Sequence, residues 1–352
     1  MSGLRAQLDL PERGVRLELD VPAGQTCALI GPNGAGKSSV LEAIIGVLPP
    51  ASGFVALNGR TLTGPGMQVP VHRRRVGWLA QRPLLFDHLN VLDNAAFGAV
   101  ASGRSRAQGR GRAQVELERV GVAELAGRRP GALSGGQAQR VAIARCLAAD
   151  PDALLLDEPL AAIDVQGSAG IRQVLAERLA RARQPVLLVT HDLIDLWRLA
   201  DRVLVLAKGR IVESGTVAEV LRRPRNQFLA HLGGRNLLAG TALGGDALRA
   251  GDLVVHGVAD IPLASGDATL ALIDPAAISV HLTHPEGSPR NVWPAVVTGV
   301  EPRGDAARLT CRAEGHPLGV DLTLAAVAEL GLMPGVQVWL AVKASQVLLY
   351  PR

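Results

Sequence analysis

Apolar residues in the first two-thirds of the chain form short runs separated by longer amphipathic stretches. The runs have the length of strands and read TCALI, FVALN, RVGWLA, ALLLD, PVLLVT and RVLVL. Between several of them the apolar spacing is that of helices, over residues 37–47, 137–149, 168–182 and 191–199. Strands that alternate with helices predict crossover connections around a largely parallel sheet. We therefore expect an α/β fold up to about residue 230.

This pattern changes at two places along the chain. Residues 82–150 are poor in strand-like runs, which predicts a helical subdomain inserted into the sheet. After residue 230 comes the glycine-rich segment HLGGRNLLAGTALGGD, followed by short strand-like runs at regular intervals, as in a small β-barrel or sandwich. A chain of 352 residues is also long for one core. We expect domains at 1–230 and 241–352, joined by a linker at 231–240.

Composition disfavours several classes of function. No apolar run reaches the roughly 20 residues of a membrane-spanning helix, and residues 1–14 carry charges where a signal peptide is apolar. Three cysteines, an odd number, indicate a reducing compartment. The net charge of +5 is concentrated in basic clusters at 72–75, 104–112 and 222–225. Because only 3% of residues are aromatic, we do not expect a nucleic-acid partner.

A glycine-rich segment, GPNGAGKSS, follows the run TCALI and precedes a predicted helix. This context is typical of a phosphate-binding P-loop rather than of an ordinary turn. Backbone N–H groups of such a loop point at the phosphates, while the lysine and the following serine contact the β/γ oxygens and Mg²⁺. The predicted nucleotide-binding residues are Gly31, Pro32, Asn33, Gly34, Ala35, Gly36, Lys37, Ser38 and Ser39.

An acidic pair follows the apolar run ALLLD. Asp157 ends this predicted strand at the edge of the sheet, where its carboxylate can hold Mg²⁺ through water. Glu158 comes next and can polarise an attacking water as a general base. An acidic pair after a strand is more often a helix cap than a catalytic group. Because a P-loop lies upstream in this chain, we favour the catalytic interpretation.

The segment LSGGQ provides a second bare helix N-terminus suited to an anion, with predicted ligands Ser134, Gly135, Gly136 and Gln137. A whole subdomain separates it from the P-loop in the sequence. One nucleotide need not engage both helix ends within one chain. The economical arrangement is a homodimer, in which each nucleotide lies between one P-loop and the LSGGQ segment of the partner.

These motifs occur in the order found in ATP-binding-cassette ATPases, which the chain resembles over about residues 1–230. The motifs are the P-loop, Gln81, LSGGQ, LLLDEP, AAID and LLVTHD. The resemblance implies a P-loop NTPase fold with ATP and Mg²⁺ as cofactors. It also implies that Gln81 contacts Mg²⁺ and the attacking water and that Glu158 is the catalytic base. Asp164 would couple the sites across the dimer, and His191 would contact the γ-phosphate.

The sequence departs from the family pattern at two positions. No aromatic residue precedes Phe54, although family members usually stack adenine on one, so the base would lie either on Arg13 or on aliphatic side chains. In AAID, Ala161 replaces a common serine. Neither change affects the hydrolytic residues.

The cassette resembles an importer subunit more than other cassette proteins. Repair clamps carry long coiled coils, translation factors carry paired cassettes, and exporters are commonly fused to membrane spans; none of these features is evident. Residues 82–98 resemble the importer segment that receives a coupling helix of a permease. The implied partners are two transmembrane permease subunits and, through them, a periplasmic or extracellular oxyanion-binding protein. This would place the chain peripherally at the cytoplasmic face of the inner plasma membrane.

The segments SPRNVW and VKASQVLL resemble signatures of the molybdate-binding Mop/TOBE fold, a small OB-like all-β barrel, at about 288–352. Their hydroxyl, cationic and backbone N–H groups are suitable donors to a tetrahedral oxyanion such as molybdate or tungstate. The candidate oxyanion ligands are Ser288, Arg290, Asn291, Lys343, Ala344 and Ser345. Such a domain either binds the anion and restrains transport or only holds the cassettes together.

The whole-chain pattern therefore resembles the ATPase subunits of molybdate importers. Importers of sulfate, iron, polyamine or sugar share this layout and are the nearest alternative. Outside that class, the C-terminal part could be an oxyanion-sensing or storage module, with transport secondary.

Overall fold

The apolar runs form strands and the amphipathic stretches between them form helices. A computed structural model describes residues 3–352, except for the side chains of Val165 and Gln166. It divides the chain into the units Met1–Val217 and Ala218–Arg352.

Strands of the first unit are β1 (Gly3–Leu10), β2 (Val15–Pro22), β3 (Thr26–Ile30), β4 (Ser52–Leu57), β5 (Arg60–Gly64), β6 (Met67–Gln68), β7 (Val76–Leu79), β8 (Ala153–Asp157), β9 (Val186–Val189), β10 (Arg202–Ala207) and β11 (Arg210–Thr216). Its helices are α1 (Lys37–Ile45), α2 (Val91–Ala101), α3 (Arg106–Arg119), α4 (Gly135–Ala148), α5 (Val165–Ala180) and α6 (Leu193–Leu199), and α7 (Val217–Arg222) follows at the boundary.

The core sheet of the first unit has the strand order β11-β10-β3-β9-β8-β7. Strands β10, β3, β9, β8 and β7 pair in parallel, and β11 pairs antiparallel to β10 at the edge. Every residue of β3, β8 and β9 is buried, as continuous apolar strands covered on both faces require. The expected α/β fold with a largely parallel sheet is confirmed.

A separate antiparallel sheet, β2-β1-β4-β5-β6, lies in the same unit. Its strands β1 and β2 alternate between buried and exposed residues, with Leu4, Ala6 and Leu8 on the buried face of β1. Between β7 and β8 the structure has α2, α3 and α4 and, among the described residues, no strand. No helix within residues 3–352 combines the length and the apolar character needed to cross a bilayer.

Strands dominate the second unit. They are β12 (Asn236–Gly244), β13 (Ala247–Ala250), β14 (Leu253–His256), β15 (Val258–Ala259), β16 (Ala268–Ile273), β17 (Ser279–His281), β18 (Asn291–Arg303), β19 (Ala306–Ala313), β20 (His316–Thr323), β21 (Gln337–Val342) and β22 (Val347–Pro351), with the short helices α8 (Gln227–Leu232) and α9 (Leu324–Glu329). The strand orders are β14-β13-β12-β16-β22-β15 and β17-β21-β18-β19-β20. Residues from both sheets share one apolar core, which confirms the expected small β-domain.

The segment 231–240, which we expected to be a linker, has regular structure instead. It begins at the end of α8 and continues into β12, which pairs with both β13 and β16. Gly240 lies against the neighbouring strand, since a Cβ atom there would be 2.1 Å from the carbonyl oxygen of Arg249. The glycine thus permits close strand packing rather than flexibility, and the structural boundary lies between residues 217 and 218.

Arg74 is a buried cation at the C-terminal end of α1. Its Nε donates to the carbonyl oxygen of Val69, and its Nη atoms donate to Ile44 O and Thr63 Oγ1, each at 2.8 Å. Gly46 leaves room for the guanidinium, because a Cβ at that position would lie 2.3 Å from Cζ of Arg74. A positive charge is also favourable near the carbonyl end of a helix. Arg74 therefore joins α1 to the antiparallel sheet.

Replacing Arg74 with alanine should lower the free energy of unfolding of the first unit by about 3 kcal/mol, because it opens a cavity and leaves buried acceptors without donors. Arg75→Ala is the matched control. Arg75 pairs with Asp152 on the surface at 2.9 Å, and its loss should cost less than about 1 kcal/mol. Denaturant unfolding of the two full-length variants measures both values, and equal losses would contradict the role assigned to Arg74.

Candidate nucleotide-binding site

The loop between β3 and α1 is fixed by close backbone approach. A Cβ on Gly31 would lie 2.1 Å from the carbonyl oxygen of Leu206, and one on Gly36 would lie 2.4 Å from Cγ2 of Val15. Gly36 also has φ 104°, a conformation that side chains rarely adopt. The glycines at the two ends of the predicted P-loop are therefore required by packing as well as by chemistry.

Lys37, the first residue of α1, lies across this loop. Its Nζ donates to the carbonyl oxygens of Gly31 at 2.7 Å and Pro32 at 3.1 Å. Burial lowers the pKa of Lys37, while the charges of Glu158 and Asp157 act in the opposite direction. The ammonium group is thus positioned over a loop whose N–H groups can bind phosphate.

Asp157 is buried at the carboxyl end of β8. Burial and then the charge of Glu158 raise its pKa to about 6, against the opposing effect of Lys37. A carboxylate in this environment is stabilised in its ionised form by a cation. Carboxylate, hydroxyl and amide oxygens from Asp157, Ser38 and Gln81 are hard donors of the kind that Mg²⁺ prefers. These residue types fit a magnesium ion.

Glu158 is held by hydrogen bonds to both of its carboxylate oxygens. Nε2 of Gln81 donates to Oε2 at 3.1 Å, and Nδ1 of His191 lies 3.1 Å from Oε1. An ionised carboxylate accepts only, so this contact places a proton on Nδ1. The backbone of Glu158 has φ 48°, which is uncommon for a residue with a side chain, and its N–H donates to Val189 O at 2.9 Å. The predicted catalytic residues therefore meet at one carboxylate.

Gln81 and Glu158 line an open cleft of about 600 Å³, and His191 contacts Glu158 without lining the cleft itself. The cleft is lined by Glu12, Arg13, Asn33, Gly34, Gly36, Lys37, Ser38, Ser39, Gln81, Asp157, Glu158 and Val189. The P-loop and the acidic pair thus share one cavity. Glu12 and Arg13, from the turn between β1 and β2, form part of its wall.

The LSGGQ segment forms a different surface. Ser134 caps α4: its Oγ accepts from the N–H of Gln137, and Oε1 of Gln137 accepts from the N–H of Ser134, at 3.3 and 3.0 Å. Asp164 caps α5, and its Oδ1 accepts from the N–H of Gly167 at 2.6 Å. A Cβ on Gly136 would lie 3.5 Å from Ala162 O, so the starts of the two helices are adjacent. Among the described residues, neither cap lines the cleft.

A large apolar groove lies between residues 71–80, which include β7, and the helical subdomain, and we call it the subdomain groove. It measures about 890 Å³, and its lining includes Trp78, Leu84, Phe86, Phe97 and Arg145. Arg145 donates to the carbonyl oxygens of Pro83 and Leu84 at 2.7 and 2.8 Å. Residues 82–98 were singled out from the sequence, but Arg145 was not, because no local motif connects it to a segment 60 positions earlier.

In the second unit, both signature segments lie side by side, since β18 and β21 pair Asn291 with Val342. Asn291 itself is buried: its Oδ1 accepts from His256 N, and its Nδ2 donates to His256 O and Val342 O, at 2.7, 2.9 and 3.2 Å. Its amide is therefore engaged by the backbone and serves the fold, which differs from the expected role as an anion ligand. Arg290 is exposed and pairs with Asp246 at 3.1 Å.

The remaining candidate oxyanion ligands lie near this strand pair. Ser288, Lys343 and Ser345 are exposed, and Ala344 begins a 3₁₀ turn at 344–346 that Lys343 precedes. Hydroxyl, ammonium and backbone donors therefore remain accessible at the ends of β18 and β21. Their arrangement is compatible with an anion but is not specific to one.

Comparison with known proteins extends this picture to the whole chain. A family model described as ABC transporter matches residues 15–161, and a TOBE domain model matches residues 287–349. The molybdenum import ATP-binding protein ModC of Mycobacterium tuberculosis is 45% identical over 100% of this chain and 98% of that protein. The molybdate/tungstate import ATP-binding protein WtpC of Pyrococcus horikoshii is 33% identical over 95% of each chain.

A solved structure matches the first part of the chain. It is a dimeric ATP-binding cassette in a post-hydrolysis state bound to ADP and Pi, with a TM-score of 0.55 and 27% identity, covering 61% of this chain and 98% of the other. The expectation of a cassette followed by a TOBE domain is thus confirmed. Similarity that runs from one end of the sequence to the other shows that the chain belongs to the ABC transporter family, among its ATP-binding import proteins.

Proposed function

We propose that this chain is the ATP-hydrolysing subunit of an importer of molybdate, with tungstate as an alternative cargo. The observation that carries the proposal is that one chain combines a cleft lined by the P-loop and the acidic pair with a TOBE unit, and is similar over its full length to a molybdenum import protein. The cassette does not itself distinguish molybdate from sulfate or other cargoes. The choice of molybdate comes from the similarity of the whole sequence and from the two signature segments of the second unit.

The cleft supports hydrolysis as follows. The loop 31–39 and Lys37 would bind the phosphates of ATP, and Ser38, Gln81 and Asp157 would hold Mg²⁺, which supplies positive charge to the β- and γ-phosphate oxygens. Glu158 would accept a proton from the attacking water. Because Gln81 and His191 contact its two oxygens, this carboxylate is held in one orientation.

A homodimer would complete each site. The LSGGQ segment and Asp164 lie together on a surface that does not line the cleft of their own chain, among the residues described. A second copy could place that surface over the nucleotide of the first. The subdomain groove, with its exposed Leu84 and Phe97, would receive a helix of each permease subunit, with the chain peripheral at the cytoplasmic face of the membrane.

Glu158→Gln should reduce ATP turnover by at least about a hundredfold, because an amide cannot accept the proton of the attacking water. ATP binding should persist, and ATP should now trap a stable dimer. Steady-state ATPase assays and size-exclusion chromatography with ATP measure these effects. Glu12→Gln, at a glutamate that also lines the cleft, is the control and should retain turnover. Near-normal hydrolysis by Glu158→Gln would refute the assignment of the base.

Titration calorimetry of the full-length protein should detect saturable binding of molybdate and tungstate at the second unit. Combining Arg290→Ala with Lys343→Ala should remove most of this heat, because it removes the two cationic donors of the candidate site. Arg249→Ala, at an exposed arginine on β13, should leave it unchanged. Absence of molybdate binding to the unaltered protein would rule out the oxyanion site and leave its ATPase role standing.

Disruption of the gene in its own cells should abolish molybdoenzyme activity at low external molybdate, because uptake would lose its energy source. Excess molybdate should restore that activity through nonspecific entry, whereas excess sulfate should not. Enzyme assays on cells grown across a molybdate series provide the measurement. A disruption strain that instead requires added sulfate for growth would assign the importer to sulfate.

A further inference from the structure

His191 is exposed, yet the residues on both sides of it are anchored. Its own side chain is 68% exposed, whereas Thr190 is buried. The Thr190 hydroxyl donates to Oδ2 of Asp195 at 3.1 Å and accepts from the N–H of Asp192, also at 3.1 Å. Oδ1 of Asp192 caps α6 by accepting from the N–H of Ile194 at 2.6 Å. Residues 190–192 thus form a short segment fixed at each end.

Asp195 is the buried centre of this arrangement. Its side chain is 4% exposed, and each of its carboxylate oxygens has a different partner. Oδ2 accepts from Thr190, and Oδ1 accepts from Nε of Arg172 at 2.7 Å. Arg172 lies on α5, is itself largely buried, and also approaches Asp192 at 3.5 Å. One guanidinium is therefore connected to both neighbours of His191, to Asp192 directly and to Thr190 through Asp195.

Because Asp195 is buried, its hydrogen bond with Thr190 depends on its ion pair with Arg172. Desolvation raises the pKa of Asp195, and the hydrogen bond from Arg172 is the largest effect that opposes it. A buried carboxylate that loses its cationic partner is strongly destabilised and either takes up a proton or moves towards water. Either change would alter the hydrogen bond to Thr190, which directly precedes His191.

We propose that Arg172 and Asp195 are positioning residues for ATP hydrolysis. They hold residues 190–192 so that Nδ1 of His191 stays within hydrogen-bond distance of Glu158. Neither residue lines the cleft or touches the reacting atoms, so they act through His191. This inference rests on the roles proposed above for His191 and Glu158. It adds a buried ion pair between α5 and α6 to the groups on which turnover depends.

Arg172→Met tests the proposal because it removes the charge and keeps most of the side-chain length. We expect kcat of the full-length protein to fall about tenfold or more, with the KM for ATP within a factor of two, since misplacing a catalytic group affects the chemical step. Arg178→Met is the matched control on the same helix. Arg178 pairs with Glu116 instead, and its replacement should leave kcat unchanged.

A double-variant cycle separates positioning from general stability. In a His191→Ala background, Arg172→Met should cause no further loss of kcat, because the residue that it positions is absent. Thr190→Val should reproduce the loss, and Thr190→Ser, which keeps the hydroxyl, should restore most of the activity. If thermal unfolding shows that Arg172→Met does not fold, the comparison of Thr190→Val with Thr190→Ser tests the proposal instead.

Three results would overturn the inference. One is normal kcat in both Arg172→Met and Thr190→Val, while His191→Ala is inactive; the role of His191 would then stand without this support. Another is an equal loss from Arg172→Met with and without His191. The third is normal turnover of His191→Ala, which would remove the proposed role of His191 and this inference together. Retained ATP binding in these variants shows that the nucleotide site itself is intact.

Discussion

The nucleotide cleft depends on the close approach of the loop 31–39 to strands on either side of it. Gly31 lies against the backbone of β10, and Gly36 lies against Val15 at the start of β2. A side chain at either position would push the loop away from the sheet. This packing directs β3 into α1 at a sharp turn and leaves the N-terminus of the helix open. Phosphate binding is therefore a consequence of how tightly these glycines allow the sheets and the loop to pack.

The acidic pair after β8 shows how adjacent carboxylates acquire different roles. Asp157 is buried, has a pKa raised to about 6, and lies where a cation would balance its charge. Glu158 follows in a left-handed backbone conformation that turns its side chain towards Gln81 and His191. One carboxylate is thus suited to hold a metal ion and the other to take a proton. The uncommon backbone conformation at Glu158 is consistent with strain kept at a functional site.

Local patterns in the sequence predicted much of the fold and of the cleft. Continuous apolar runs identified the buried parallel strands, and the P-loop motif identified residues that do line one cavity. The glycine content of 231–246 led to a wrong expectation, because glycine serves close strand packing as well as flexibility. Asn291 was expected to face an anion, but its amide is occupied by backbone groups of β14 and β21.

Local sequence patterns did not predict side-chain contacts between segments that are distant in the sequence. Arg74 donates to a group 30 positions away, Arg145 to one 62 positions away and Arg172 to one 23 positions away, and nothing in their local sequence marks those partners. A buried arginine is difficult to predict because the residue is usually exposed. Periodicity shows which face of a helix is covered, but it does not show which carbonyl or carboxylate a side chain reaches.

The reciprocal cap at the start of α4 has a consequence for assembly. Ser134 and Gln137 satisfy each other's backbone groups within one chain, so the helix end that would meet a partner's nucleotide is already formed. A preorganised surface loses little conformational entropy on association. Pairing of two such chains would then be governed mainly by the electrostatic bridge that a bound triphosphate provides. Hydrolysis of the triphosphate would remove this bridge, and the two copies could then separate without any refolding.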